Sequence, residues 1–180
     1  MEQSIEAVKD AGATVIVSPL TVCEMGKMAF ILDGAGAVLG LWEYGAGFEG
    51  SVVNKGAGTA AWFESLSTDL DAALPTYRAL GWDIGWMGGE DAPVRFATNT
   101  ADESKATAGL CDASSFLPEG VPSFWRPYFL VEDADAAIER IKELGGSVID
   151  GSMDSPYGRI ATVAGPDATA FQIVNVPQDS

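Results

Sequence analysis

The sequence lacks the side chain on which most hydrolytic and metal-dependent chemistry relies. None of its 180 residues is histidine, which excludes a Ser-His-Asp triad, a Cys-His dyad and any metal site with imidazole ligands. The two cysteines, Cys23 and Cys111, lie far apart and show no CxxC spacing, so we expect free thiols in a cytoplasmic protein. Ser65 and Ser67 have no neighbouring base in a recognisable motif, and no nucleophile stands out.

The charge of the chain limits its partners. Ten basic and 26 acidic side chains give a net charge of −16. Nucleic acids and anionic membranes need a basic surface, so we expect neither as a partner. A cationic small molecule is compatible with this charge, and so is a role in solubility alone. We expect no membrane span and no signal peptide, because no apolar run reaches 18 residues and no basic segment precedes an apolar one.

Two segments of the chain repeat each other. Ile5–Ile16 and Ile138–Ile149 are identical at six of twelve positions, and each pattern predicts a helix, a glycine that ends it, and a strand. Two further strands follow each copy. The later copy also has a strand before its helix, at Tyr128–Val131, which gives it the order βαβββ. The middle of the chain repeats this order more loosely, with strands predicted at 59–66, 82–87, 94–98 and 105–111 and a helix starting after Asp69.

Several short motifs of the last repeat carry a family resemblance. They are the helix start Val131–Ile138, the helix end Glu143–Gly146, the pair Gly158–Arg159, and the turn Gly165–Asp167 before the last strand. With these turns, the paired modules resemble the vicinal oxygen chelate superfamily of glyoxalase I, extradiol dioxygenases and bleomycin-resistance proteins. The resemblance implies an α+β fold in which two βαβββ modules pair and their sheets curve into a cup.

The resemblance also implies a division of the chain into three parts. Residues 1–46 are predicted to form a truncated αβββ module without its first strand, and residues 47–57 a linker rich in glycine. Residues 58–176 are predicted to form a glyoxalase-like domain of two βαβββ modules with one complete cup. Because an uncovered sheet edge attracts another chain, the truncated module predicts a homodimer.

At the positions where the family has its metal ligands, this sequence has residues of other types. The resemblance implies a divalent metal held by His or Gln on each first strand and Glu on each last strand. Those positions fall on Trp62, Arg126 and Gln172, and also on Gly40 and near Gly109 or Cys111. An indole, a guanidinium and one amide do not replace imidazoles and carboxylates. We therefore predict neither a metal nor another cofactor.

Without a metal, the cup is interpreted as a binding cavity. Strand alternation and the former ligand positions select five lining residues: Trp62, Glu64, Arg126, Tyr128 and Gln172. We expect Trp62 and Tyr128 to stack on a flat ligand, Glu64 to recognise a positive charge, and Gln172 or Arg126 to hydrogen-bond. Alternatively, these side chains fill the cup as core, with Glu64 paired to Arg126.

The sequence therefore leaves three functions open. The first is a non-enzymatic protein that binds and sequesters an aromatic or cationic small molecule, similar to bleomycin-resistance proteins. The second is a metal-dependent lyase, isomerase or dioxygenase with unusual oxygen ligands. The third is an interaction or regulatory protein that docks onto a partner through its truncated first module.

Overall fold

The computed structural model describes residues 1–46 and 56–175. Its elements confirm the mixed α+β class, with eleven strands and three α-helices among those residues. No helix in these two ranges is long and apolar enough to cross a membrane. The predicted linker at 47–57 lies mostly outside the described residues, as does Val176, so the three-part division of the chain stays a prediction.

The first segment has the predicted order of one helix and three strands. It consists of helix α1 (Glu2–Asp10) and strands β1 (Thr14–Val22), β2 (Gly26–Leu32) and β3 (Val38–Tyr44). The strands form an antiparallel sheet in the order β1-β2-β3. Ile5 and Val8 of the helix pack against Ala29 and Ile31 of the central strand, which buries one face of the sheet.

The middle segment has the predicted helix but shorter strands. It consists of β4 (Ala60–Ser67), α2 (Leu70–Ala79), β5 (Gly85–Trp86), β6 (Phe96–Thr98) and β7 (Ala108–Asp112). The strand predicted from Trp82 begins only at Gly85, because the Trp82 ring packs on Tyr77, with ring centroids 4.8 Å apart. Lys105, predicted to start a strand, instead ends a short 3-10 helix.

The last segment is a complete βαβββ module. It consists of β8 (Phe124–Leu130), α3 (Ala134–Glu143), β9 (Ser147–Ser155), β10 (Gly158–Ala164) and β11 (Ala170–Asn175). Its strand order is β8-β11-β10-β9, in which β8 and β11 run parallel and the hairpins β9–β10 and β10–β11 are antiparallel. A helical crossover between parallel strands explains this order.

The predicted helix ends are confirmed. The side chains of Asp69 and Asp133 cap α2 and α3 by accepting from the backbone N–H groups three residues on. Beyond the helices, Gly81 and Gly145 have φ angles of +92° and +87°, a region in which other residues are strained.

The chain packs into two compact units. The first unit contains residues 1–46 and 64–125, and the second contains residues 56–63 and 126–175. The boundary therefore falls within β4, whose first four residues belong to the second unit.

A buried polar chain holds the first unit together. The Tyr77 hydroxyl of α2 donates to Asp33 Oδ2 at 2.7 Å and accepts from Trp125 Nε1 at 3.0 Å. The other oxygen of Asp33 accepts from the N–H groups of Ala35 and Ala37, both at 2.9 Å. Every oxygen of this buried carboxylate therefore has a donor, so its burial is tolerated.

Candidate functional site

The second unit presents a row of polar side chains across its sheet. The register places Tyr128 of β8 opposite Gln172 of β11, Gln172 opposite Thr162 of β10, and Thr162 opposite Asp150 of β9. Ala161, Val163 and Ile173, which have the other parity in β10 and β11, pack in the core with Ile138 of α3. Because side chains alternate along a strand, the polar row lies on the face away from α3.

Gln172 holds the guanidinium of Arg126. In the amide orientation that satisfies every partner, Arg126 Nη1 donates to Gln172 Oε1 at 2.6 Å and Gln172 Nε2 donates to Ala161 O at 2.8 Å. The Thr162 hydroxyl also donates to Gln172 Oε1, at 2.9 Å. Gln172 is only 3% exposed. These contacts hold Arg126 in place, and the ligand contact predicted for Gln172 stays a prediction.

Tyr128 lies beside the same guanidinium. Arg126 Nη2 donates to the Tyr128 hydroxyl at 3.2 Å, and Arg126 Cζ lies 5.6 Å from the centroid of the Tyr128 ring. This distance permits a cation–π interaction. Both side chains are half-buried, so a flat aromatic surface and a positive charge lie side by side on the row.

The structure brings three of the five predicted residues together within the second unit. Arg126, Tyr128 and Gln172 form one hydrogen-bonded cluster in the second unit. Trp62 belongs to the same unit, in the first half of β4, and is half-buried. Glu64 belongs to the first unit and is 7% exposed. The ligand contacts predicted for Trp62 and Glu64 stay predictions.

Sequence reasoning missed Thr162. It is opposite Gln172 in the β10–β11 hairpin, and its hydroxyl completes the bonds of the amide. Counting back from the predicted turn at Gly165–Asp167 would have found it, because a tight hairpin sets the register of the two strands that it joins.

The cluster of Arg126, Tyr128 and Gln172 offers groups that can bind a small molecule. None of the three side chains exchanges a proton near neutral pH. A guanidinium stays protonated in proteins and a glutamine amide does not titrate. Arginine donates in a planar fork that matches pairs of acceptor oxygens, and the tyrosine ring offers a stacking surface. The arrangement therefore suits a flat molecule that carries acceptor oxygens at its edge.

A divalent metal does not fit these positions. The side-chain oxygen of Gln172 accepts from Arg126 and Thr162, and a metal there would sit next to the permanent positive charge of Arg126. Within residues 1–46 and 56–175, no three His, Cys, Asp or Glu side chains cluster closely enough to hold a metal ion. The described residues thus lack the ligand set that the family resemblance implies.

Comparisons with known proteins agree with this fold. The model of the Glyoxalase/Bleomycin resistance protein/Dioxygenase superfamily matches residues 59–173. Anthracycline biosynthesis protein DauV from a Streptomyces species and anthracycline biosynthesis protein DnrV from Streptomyces peucetius are each 34% identical over 173 residues. Each match covers 94% of this chain, which spans 60% of the length of each relative.

A solved structure shows the same architecture. The Mn(II)-bound glyoxalase from Novosphingobium aromaticivorans is similar to 97% of this chain with a TM-score of 0.61, and the match covers 58% of that protein. The two sequences are 14% identical, so this likeness shows the fold alone.

Proposed function

Because the chain belongs to the glyoxalase, bleomycin-resistance and dioxygenase superfamily, we propose that its second unit binds a flat aromatic molecule without a metal. The ring of Tyr128 stacks on the ligand, and Arg126 donates to an oxygen at the ligand's edge. Gln172 keeps the guanidinium in place. The function is sequestration or transfer of the ligand, not its chemical conversion.

One observation carries this proposal. Where the family resemblance expects metal ligands, the structure has a guanidinium hydrogen-bonded to a buried amide at 2.6 Å and lying against an aromatic ring. A prearranged donor and a stacking surface are the two parts that binding of an oxygenated aromatic molecule needs. Neither Arg126 nor Tyr128 exchanges a proton readily near neutral pH.

The names of two relatives suggest the class of ligand. DauV and DnrV are named for anthracycline biosynthesis, and anthracyclines are fused aromatic rings that carry quinone and phenol oxygens. Such a molecule offers both a face for Tyr128 and paired acceptors for Arg126. We therefore extend the proposal to fused-ring, oxygenated aromatic compounds.

Isothermal titration calorimetry tests the proposal with two probes. Daunorubicin carries the fused rings and a cationic amino sugar, whereas its aglycone daunomycinone has the rings alone. Since the net charge of −16 attracts any cation, we would titrate in about 0.5 M salt, where the Debye length is only a few ångströms. We expect both probes to bind with similar dissociation constants, because the rings and not the amine are recognised.

A matched pair of variants identifies the site. Arg126→Gln is expected to weaken binding of daunomycinone by about tenfold, the effect of losing one charge-assisted hydrogen bond. Arg159→Gln removes a charge from the exposed pair with Asp135 in the same unit and is expected to leave binding unchanged. If neither probe binds, or if Arg126→Gln and Arg159→Gln bind equally, the proposal is wrong.

A further inference from the structure

The polar row of the second unit ends on β9 with an exposed carboxylate. It belongs to Asp150, which lies opposite Thr162 in the pairing of β9 with β10. The nearby carboxylates of Asp135 and Asp154 both pair with Arg159. No hydrogen bond or ion pair joins the side chain of Asp150 to another described residue. The fold itself therefore does not use this carboxylate.

Two irregularities of β9 set the direction of Asp150. The register between β9 and β10 shifts on either side of the pair formed by Asp150 and Thr162. In the first module, β1 shifts in the same two places, on either side of Val17, which corresponds to Asp150 in the internal repeat. Such bulges aim single side chains and are frequent beside binding sites. Both modules thus share this backbone, and the last one uses it to present a carboxylate.

The row places a hydrogen-bond donor and an acceptor at a fixed separation. Arginine only donates and a carboxylate only accepts. The guanidinium of Arg126 is bonded to Gln172 on β11, and Asp150 lies on β9, two strands further along the sheet. Since neighbouring strands are about 4.8 Å apart, about 10 Å separate the two groups across β10. A rigid molecule of about that length can contact both.

An apolar row lies beside the polar row on the same face. The next pairs of the register on this face align four side chains: Leu130, Val174, Ile160 and Met153. Met153 is 52% exposed at the β9 end of this row, and a thioether makes favourable contacts with aromatic rings. A flat ring system that extends from Arg126 to Asp150 therefore has apolar surface along one side.

We propose that Asp150 accepts a hydrogen bond from a hydroxyl group on the far ring of the ligand and so determines which aromatic molecules the site prefers. This inference rests on the proposed function, in which Arg126 donates to an oxygen at the ligand's edge. The preferred ligand is a fused-ring molecule with an acceptor oxygen near Arg126 and a hydroxyl on its terminal ring. The hydroxyl belongs to the ring system itself, because only a rigid ligand holds it at this distance without further loss of entropy.

Two anthraquinones that differ by one oxygen atom test this inference. 2-(Hydroxymethyl)anthraquinone has a hydroxyl on its end ring, whereas 2-methylanthraquinone has the same rings and carbonyl oxygens without it. Equilibrium dialysis in about 0.5 M salt, where long-range attraction is screened, measures both dissociation constants. We expect the parent to bind the hydroxymethyl probe about tenfold more tightly, the effect of one hydrogen bond to a charged acceptor.

A matched pair of variants on β9 locates this preference. Asp150→Ala is expected to remove it by weakening the binding of the hydroxymethyl probe about tenfold. Asp154→Ala removes a carboxylate from the same strand, but Asp154 lies opposite Arg159 and accepts from it at 2.9 Å. Arg159 has the parity of Ala161 and therefore lies on the face of α3. We expect Asp154→Ala to keep the preference of the parent.

The outcomes separate this inference from the proposed function. If the parent binds both probes equally, or if Asp150→Ala keeps the preference, the role of Asp150 is wrong. The proposed function still stands in that case, provided that Arg126→Gln weakens the binding of both probes. If neither anthraquinone binds, the proposed function and this inference are both wrong.

Discussion

Two tyrosines of this chain take part in hydrogen-bonded groups with opposite surroundings. Tyr77 in the first unit is fully buried, and its hydroxyl has both a carboxylate acceptor, Asp33, and an indole donor, Trp125. Tyr128 in the second unit is half-buried and accepts from a guanidinium that also lies near its ring.

The difference between these groups separates a structural role from the binding role that we propose for the second group. The first group joins the turn that starts at Asp33 to helix α2 and to Trp125, which are 44 and 48 residues away from their partners along the chain. Its carboxylate and its tyrosine are buried, at 3% and 0% exposure, so a ligand does not reach them. The second group keeps an aromatic face and a charge at the surface of a strand, which is how recognition sites are built. Burial, more than residue type, distinguishes them.

The largest loss of stability is expected where the turn at Gly34 lies close against helix α2. In Gly34→Ala, the new Cβ would lie 1.9 Å from the backbone oxygen of Ala72 in α2. The turn would have to move away from the helix and would strain the bond between Tyr77 and Asp33. We expect the free energy of unfolding to fall by about 3 kcal/mol or more, measured by urea denaturation.

Gly151→Ala in the second unit is the control for this substitution. Nothing lies within 4 Å of the added Cβ, and the residue belongs to strand β9. A gain of about 0.5 kcal/mol is expected, because alanine restricts the unfolded chain more than glycine does. Equal losses in both variants would contradict the tight approach of the turn to α2.

A second pair of variants compares the two tyrosines directly. Tyr77→Phe leaves the buried carboxylate of Asp33 and the indole N–H of Trp125 without their shared partner, so we expect a loss of about 1–3 kcal/mol. Tyr128→Phe removes a hydroxyl that is half-buried, and we expect a loss of about 0.5 kcal/mol or less. Urea denaturation of both variants under one condition measures the difference. If the two losses are equal, burial is not what separates the groups.

The same contrast predicts a dependence on alkaline pH. Burial, and then the negative charge of Asp33, raises the pKa of Tyr77 well above its usual value. Above about pH 10 the unfolded chain loses this proton while the folded chain keeps it. The stability that Tyr77 contributes is therefore complete below about pH 10 and decreases as the pH rises further, by at most about 1.4 kcal/mol per pH unit.

Unfolding at about pH 9 and about pH 11, on either side of the ordinary tyrosine pKa, measures this dependence. We expect the parent and Tyr128→Phe to lose stability over this interval, and Tyr77→Phe to lose less. A parent and a Tyr77→Phe variant with the same slope would show that the Tyr77 proton is not held by the fold.

Local patterns in the sequence predict most of the elements but few of the contacts in these groups. Apolar spacing, capping aspartates and left-handed glycines predict all three helices and strands β2, β3 and β10, because each of these signals acts within a few residues. Strands β5 to β7 are shorter than predicted. Packing of Trp82 on Tyr77 outweighs local strand preference at the start of β5, and a 3-10 helix occupies the predicted start of β7.

The candidate site shows the same limit. Alternation along β8 and β11 predicts that Arg126, Tyr128 and Gln172 share a face, and the register confirms it. It does not predict that the amide of Gln172 forms its hydrogen bonds with Arg126 and Ala161, because these bonds depend on rotamers and on strand pairing. The bond from Tyr77 to Asp33 has no local signal at all, since the two residues meet only through the packing of α2 against the first module.

The smallest effects are expected at two surface ion pairs that occupy equivalent places in the middle and last modules. Asp71 and Asp135 each lie two residues after a capping aspartate. Asp71 pairs with Arg95, directly before β6, and Asp135 pairs with Arg159 of β10. Asp71 accepts one bond from Arg95, at 2.9 Å. Asp135 accepts three contacts from Arg159 at 3.1–3.2 Å and one from the hydroxyl of Ser152 at 2.7 Å.

Neutralising Asp71 or Asp135 measures how much each ion pair contributes to stability. The pKa of Asp135 is lowered by the hydrogen bond from Ser152 and then by Arg159, and that of Asp71 by the hydrogen bond from Arg95. A carboxyl group with a lowered pKa stabilises the fold at pH values above the ordinary carboxyl pKa, and this contribution is lost as the pH falls through the pKa of the folded state.

We therefore expect Asp135→Asn to lower the thermal midpoint near neutral pH more than Asp71→Asn, and both to lower it less than Tyr77→Phe. Because both aspartates are exposed, about 1 M salt should shrink the two shifts while leaving that of Tyr77→Phe unchanged. A larger shift for Asp71→Asn would mean that the number of hydrogen bonds does not set the strength of these pairs.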